Sequence, residues 1–124
     1  MTIKKRYKKS ELIQFTINVL KKVGLNKLNS TTVAELIIRA DERGVWSHGI
    51  VRLPVYVKRI EKRSAKINPS LKFKKITNNI SHLSGDNGLG YIAASAGINK
   101  CVSLAKKNGI GLVEIKGSNH FGMA

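Results

Sequence analysis

The sequence predicts an α/β fold, N-terminal helices followed by the start of a mixed sheet with a βαβ-like segment. Two observations predict it. Apolar residues recur at three- and four-residue spacing through the first half of the chain, then give way after Ala65 to the two-residue alternation of Leu71-Lys-Phe73-Lys. A helical segment rich in small residues then lies between two short apolar runs, Ile80 to Leu83 and Ile110 to Ile115. On this pattern residues 1-64 form an N-terminal helical segment and residues 65-124 a partial α/β domain.

The elements follow in order. Ser10 stands before an apolar-periodic run and is expected to cap a first helix, whose buried stripe is Leu12, Phe15, Val19 and Val23, widened by Ile13 and Leu20. Thr32 and Glu35 have the spacing of a capping box, and Val33, Leu36, Ile37 and Ala40 make the buried stripe of a second helix ending near Gly44. Gly49 and Pro54 break the next stretch into a short helical turn over Ser47 to Val51 and a helix that takes Pro54 in its first turn and buries Leu53, Val57 and Ile60. Gly85-Asp-Asn-Gly88-Leu-Gly90 reads as a loop tolerant of positive φ at several places. It leads into a helix over Ile92 to Asn108 with a small-residue face of Ala93, Ala96, Gly97, Cys101, Leu104 and Ala105. Gly109 ends that helix, and Gly117-Ser-Asn-His-Phe-Gly122 is a polar loop after the last strand.

Composition narrows the function classes. A chain of 124 residues with 42% hydrophobic residues holds one core but not two full-sized domains with a cleft between them. No apolar stretch approaches the roughly 20 residues of a membrane span, and Glu11, Gln14 and Asn18 interrupt any signal-peptide core, so no membrane association is expected. A lone Cys101 calls for no oxidising compartment, which makes cytoplasm the default location. The net charge of +16 comes from 17 Lys and six Arg scattered along the chain. With six Phe and Tyr in all and no stacking platform, nucleic-acid binding is disfavoured, and the cluster Lys4, Lys5, Arg6, Lys8 and Lys9 reads first as a solvated terminus.

Two histidine-centred clusters can carry chemistry: Asp41-Glu-Arg43-Gly-Val-Trp-Ser47-His48-Gly49-Ile-Val-Arg52, and Gly117-Ser118-Asn119-His120-Phe121-Gly122. A histidine exchanges protons near neutral pH, and a neighbouring glycine lets a ligand approach the backbone. His120 follows a strand directly, where side chains of α/β sites converge. His48 and Arg52 are four apart and share a face if the segment is helical, with arginine suited to clamping a carboxylate. Ser47 either polarises His48 or caps a helix. For each histidine taken alone, a hydrogen-bonded structural role is the simpler reading, and His82, inside a strand, has no functional setting. No metal site is expected, because the histidines lack ligand spacing. The run Gly85 to Gly90 invites a phosphate cradle, but its order is GxxGxG rather than GxGxxG, and tight turning into a helix explains it better.

Ala40 to Leu53 closely resembles the first signature of the malate/L-lactate dehydrogenase family, a family distinct from the Rossmann-type lactate and malate dehydrogenases. Two further stretches match in order: Gly85-Asp-Asn-Gly88-Leu-Gly90 with its alanine-rich helix, and Ala105 to Gly111 continuing through Ser118-Asn119-His120-Phe121-Gly122. Tyr91 departs from the glutamine common after that glycine run, Ser84 from a common aspartate, and Glu61-Lys-Arg63 lacks a frequent glycine. The resemblance covers about the first third of a usual family member, so the fold is expected to be incomplete relative to the family's non-Rossmann fold.

What the resemblance implies is an oxidoreductase moving hydride between NAD or NADP and a small 2-hydroxy acid or related 2-oxo or imino acid. It makes His48 the proton donor of imine-reducing relatives, Ser47 its hydrogen-bonding helper, Arg52 the clamp for the substrate carboxylate, and His120 the proton acceptor of hydroxy-acid-oxidising relatives and a substrate contact. No cofactor-binding residue is identified, because most of that region would follow Ala124. The implied partners are a small carboxylate substrate and either a second copy, as in a homodimer, or a separately encoded remainder. The alternative is an inactive remnant or non-enzymatic interaction module that associates through exposed apolar surface.

Overall fold

Asn26, not Thr32, begins the second helix. Its side chain accepts the Asn29 amide at 2.8 Å, so the capping box expected at Thr32 and Glu35 lies inside a helix already under way. The computed structural model describes residues 5–123; Lys4 of the basic cluster, and the chain ends that bound the two expected segments, lie outside the described residues. The helices are α1 (Lys9–Lys22), α2 (Lys27–Glu42), α3 (Leu53–Glu61) and α4 (Gly90–Asn108), and the strands are β1 (Lys72–Lys75), β2 (Ile80–Ser84) and β3 (Leu112–Lys116). Two 3-10 turns, Trp46–His48 and Ile50–Arg52, take the place of the single helical turn expected over Ser47 to Val51. No helix among the described residues is long and apolar enough to cross a membrane.

Helix α1 corrects two expectations. Lys8 occupies the N-cap position, so Ser10 already lies within the first turn and its hydroxyl caps nothing. The buried face is turned by one residue: Thr16 is buried while Phe15 is 55% exposed. Thr16 can be buried because its hydroxyl donates to the Leu12 carbonyl at 2.8 Å, leaving no unsatisfied polar atom against α2. In α3 Pro54 sits in the first turn as expected, and the buried residues are Leu53, Tyr56 and Ile60, with Val57 half-buried.

The three-stranded sheet has the order β1-β2-β3, with β1 antiparallel to β2 and β2 parallel to β3. Helix α4 makes the crossover between the parallel pair, so β2-α4-β3 is the expected βαβ segment. Strand β1 pairs as a strand, but all four of its residues are exposed, where its alternation predicts a half-buried face. One hydrophobic cluster joins the helices to the start of α4, running from Leu20, Val33, Ile37 and Ile38 through Leu53, Tyr56 and Ile60 to Leu89, Tyr91 and Ile92.

The glycine run before α4 differs from its expected use. Positive φ falls on Asp86 and Asn87, residue types that tolerate it, and on none of Gly85, Gly88 or Gly90. The glycines instead permit close approach. A Cβ on Gly90 would collide with the carbonyl oxygen of Asn119 and lie 2.7 Å from the carbonyl carbon of His120. Backbone bonds close this contact: Gly90 N–H donates to His120 C=O at 3.1 Å, Asn119 N–H to Gly88 C=O at 2.9 Å, and Asn87 N–H to Gly117 C=O at 2.6 Å.

Gly109 needs its freedom for the other reason: its φ is +84, and a methyl group placed there would meet nothing within 4 Å. Gly109→Ala is therefore expected to cost about 1 kcal/mol of backbone strain. Gly90→Ala, which must push two loops apart, is expected to cost more, about 1–3 kcal/mol, and to move the His120 backbone resonances. Denaturant melts and amide spectra of the two variants check the ranking, and equal small losses would contradict it.

Candidate active site

The turn that carries His48 is shaped by a carboxylate at the end of α2. Asp41 Oδ2 accepts the Ile50 N–H at 2.7 Å, satisfying a donor that opens the second 3-10 turn. Gly49 makes room for it, since a Cβ there would collide with the Asp41 carboxylate. Held this way, Ser47 Oγ lies 2.8 Å from His48 Nδ1, and Arg52 turns back so that its Nε donates to the Ser47 carbonyl at 2.8 Å. His48 and Arg52 thus sit on two successive 3-10 turns rather than on one α-helical face.

The loop after β3 brings His120 to the same place. Asn119 fastens it: Asn119 Nδ2 donates to Asn87 O at 3.0 Å and to Asn87 Oδ1 at 2.7 Å, and Asn119 Oδ1 accepts from Arg59 Nη1 at 3.1 Å. The His120 ring then stacks on that of His48, with centroids 5.6 Å apart and planes 21° apart. His120 Nδ1 faces inward, 3.0 Å from the Tyr56 hydroxyl and 3.2 Å from the Gly122 amide, and Tyr56 in turn lies 3.1 Å from the Tyr91 hydroxyl.

Among the described residues no buried polar side-chain atom lacks a partner. Nε2 of His48, Nε2 of His120 and the two terminal nitrogens of Arg52 make no hydrogen bond among the described residues, and all three residues are half-buried. Two stacked imidazoles with a guanidinium acting on one of them are donors of a kind that suits a small anionic molecule. Burial holds the His120 pKa below the usual histidine value, and the charges of Arg52, His48 and Arg59 lower it further. Burial raises the Tyr56 hydroxyl pKa against the pull of Tyr91, Arg52 and Arg59. Tyr91 is raised furthest, by burial first and then by its bond to Tyr56.

All four residues singled out from the sequence, Ser47, His48, Arg52 and His120, converge here. His82 lies elsewhere, on β2, with Nδ1 3.2 Å from Glu114 Oε2. Among the described residues no group of three or more His, Cys, Asp or Glu is arranged to hold a metal ion. Nor does the glycine run offer a cradle for a pyrophosphate, because the amides of Asn87, Gly88 and Gly90 are already given to Gly117, Gly85 and His120. Sequence reasoning misses Asp41, Tyr56, Arg59, Tyr91 and Asn119 as parts of the site. Asp41 and Asn119 stand inside the two histidine clusters, and Tyr56 follows Arg52 at helical spacing, but their partners are set by tertiary contacts.

The model of the malate/L-lactate dehydrogenase family matches residues 7–124. A malate dehydrogenase of Pyrococcus abyssi is 35% identical over 119 residues, 96% of this chain and 33% of the relative. A ureidoglycolate dehydrogenase (NAD(+)) of Escherichia coli is 34% identical over 111 residues, 90% of this chain and 32% of the relative. The solved structure of a malate dehydrogenase from Pyrococcus horikoshii superposes with a TM-score of 0.94 at 33% identity, covering 97% of this chain and 34% of that one. The chain spans about a third of the length of the curated relatives it matches.

The setting of His120 gives stability a pH dependence of definite sign. His120 binds a proton less readily folded than unfolded, so below its ordinary value of 6.5 the unfolded state binds more protons. Stability therefore falls as pH drops through that range and recovers as pH rises. Between about pH 7.5 and about pH 5, wild type is expected to lose more stability than His120→Gln, measured by denaturant melts at each pH. Parallel losses in the two proteins would show that His120 carries no such linkage.

Proposed function

Because the chain belongs to the malate/L-lactate dehydrogenase family, we propose that it supplies the proton-exchanging and carboxylate-binding side of an oxidoreductase site. The reaction moves hydride between NAD or NADP and a small 2-hydroxy acid, or the corresponding 2-oxo or imino acid. The observation that carries this reading is the stack of His48 on His120 at 5.6 Å with the Arg52 charge acting on the same ring.

Each residue has a part that follows from its atoms. Arg52, oriented through Nε by the Ser47 carbonyl, keeps its two terminal nitrogens for a bidentate grip on the substrate carboxylate. That grip places C2 beside the histidines, whose Nε2 atoms exchange a proton with the oxygen or nitrogen on C2 and hold it by hydrogen bonds. Ser47 Oγ orients the His48 ring through Nδ1. A nicotinamide, when bound, gives or takes the hydride; no described residue is assigned to holding it, since the glycine run is closed to a pyrophosphate.

A second reading, an interaction module, is favoured by one observation. Ile110 and Leu112, at and beside the start of β3, are 71% and 52% exposed, and a groove of about 460 Å³ between α2 and α4 is lined by apolar residues including Leu36, Ile98, Phe121 and Met123 together with Arg39 and Arg43. On this reading the surface seats a second copy or a separately encoded remainder.

The two readings part on activity. The chain is assayed alone and joined to the C-terminal two-thirds of the Pyrococcus horikoshii malate dehydrogenase, with either nicotinamide and a panel of malate, lactate, ureidoglycolate and cyclic imines. In the joined protein, His120→Ala is expected to lower kcat by about 10²–10⁴-fold and Arg52→Gln to raise KM by about 10–100-fold. Turnover indifferent to both substitutions would remove the proposed roles. A folded joined protein with no turnover on any substrate would favour the interaction module.

A further inference from the structure

The inward side of His120 is more constrained than the reaction requires, and one donor constrains it. A hydroxyl can give or accept a hydrogen bond, and either imidazole nitrogen can carry the proton of a neutral histidine, but a main-chain N–H can only donate. The Gly122 amide donates to His120 Nδ1 at 3.2 Å, so Nδ1 must present its lone pair and the proton of the neutral ring is on Nε2. The Tyr56 hydroxyl, 3.0 Å from the same Nδ1, then shares that lone pair as a second donor, because turning its hydrogen away would set oxygen lone pairs against it. With that hydrogen committed, Tyr56 offers only a lone pair to Tyr91, 3.1 Å away, so the Tyr91 hydroxyl is the donor of that bond.

Tyr91 has no second choice. It is 3% exposed, its ring meets that of Tyr56 edge-on at 87°, and a Cβ on Gly122 would lie 2.5 Å from its oxygen. Among the described residues its hydroxyl has no hydrogen-bond partner but Tyr56. If His120 carried its proton on Nδ1, Tyr56 would have to accept from the ring and give its own hydrogen to Tyr91. The Tyr91 hydrogen would then be buried without an acceptor.

We propose that Tyr91 is a positioning residue that acts through Tyr56 to hold the proton of neutral His120 on Nε2, the ring nitrogen away from Tyr56 and Gly122. Burial and then the surrounding charges oppose protonation of the ring, so the choice of nitrogen in its neutral form matters. Arg59 faces it from α3, and His48 and Arg52 face it from the 3-10 turns, all opposing an imidazolium, while the Asp41 carboxylate at the end of α2 acts on Tyr91. Resting on the proposed oxidoreductase reading, the consequence is that His120 meets the substrate as an N–H donor to a C2 oxygen. To act as a base the ring must first lose the Nε2 proton to solvent and take one up from solvent on Nδ1, with Tyr56 turning its hydrogen toward Tyr91 and leaving the Tyr91 hydrogen without an acceptor.

The tautomer is measured without substrate or cofactor, so the test stands or falls separately from the activity assay. The chain is labelled with 15N-histidine, His120 is assigned by its loss in His120→Gln, and the two ring nitrogens are read by NMR at a pH where His120 is neutral. The Nε2–H form is expected to dominate in wild type. Tyr91→Phe keeps the ring and deletes only the hydroxyl, and it is expected to lower the Nε2–H to Nδ1–H ratio by about fivefold, the equivalent of one neutral hydrogen bond. Tyr56→Phe is expected to lower it at least as much. A wild-type ring protonated on Nδ1 overturns the proposal whatever the variants do, and so does an unchanged ratio in either folded variant.

Discussion

The Gly90 amide gives its hydrogen to the His120 carbonyl across 3.1 Å, and the candidate site hangs on that bond. The first amides of a helix have no partner within it, and α4 satisfies one of them with the loop that carries the histidine. The two needs meet because Gly90 has no Cβ, which lets the strands of backbone lie closer than any side chain would allow. What looks in sequence like a ligand-binding glycine run is thus an internal seam. Its glycines are spent on holding residues 117–122 in place rather than on cradling an anion.

Charge gives that seam a chemical purpose. The cations around His120 are not a sample of the general excess of +16, which is mostly exposed lysine. Arg52 and Arg59 are half-buried, and each is oriented by an oxygen, of Ser47 and of Asn119 respectively. Burial, and after it the charges of Arg52, His48 and Arg59, holds the His120 pKa below the ordinary histidine value. On the proposed reading, a carboxylate gripped by Arg52 would offset one of the charges that oppose protonation of His120, which would link binding to proton affinity. Water near the same groups screens them more weakly than it would at an open surface.

Much of this is legible in the sequence, and the parts that are not share a cause. Spacing locates the four helices and three strands, although it misreports the buried face of α1 and gives β1 one it does not have. It misplaces the start of α2 because Asn26 and Thr32 are both competent caps and the choice rests on Leu25 and Ser30 being buried, which no local pattern states. It takes Phe15 for core because hydrophobicity ranks Phe above Thr, whereas Thr16 satisfies its hydroxyl within its own helix and leaves Phe15 to solvent. In the site, the histidines and Arg52 announce themselves by residue type. Tyr56 and Tyr91 do not, since a tyrosine at helical spacing reads as core, and both are indeed core by burial while their hydroxyls serve the site.

That double service explains how a chain of this size keeps a polar constellation in order. His48 and His120 are anchored independently, one by Asp41 at the end of α2, the other by Asn119 and Gly90 at the start of α4. Their separation is therefore set by the distance between two helix ends, and that distance is set by packing of Ile37, Ile38, Leu89 and Tyr91 in one hydrophobic cluster. A core that is close-packed does not deform continuously. The ring stack of 5.6 Å is accordingly a property of the fold before any ligand binds, and the hydrogen bonds around it can be organised in advance of the charge they are to meet.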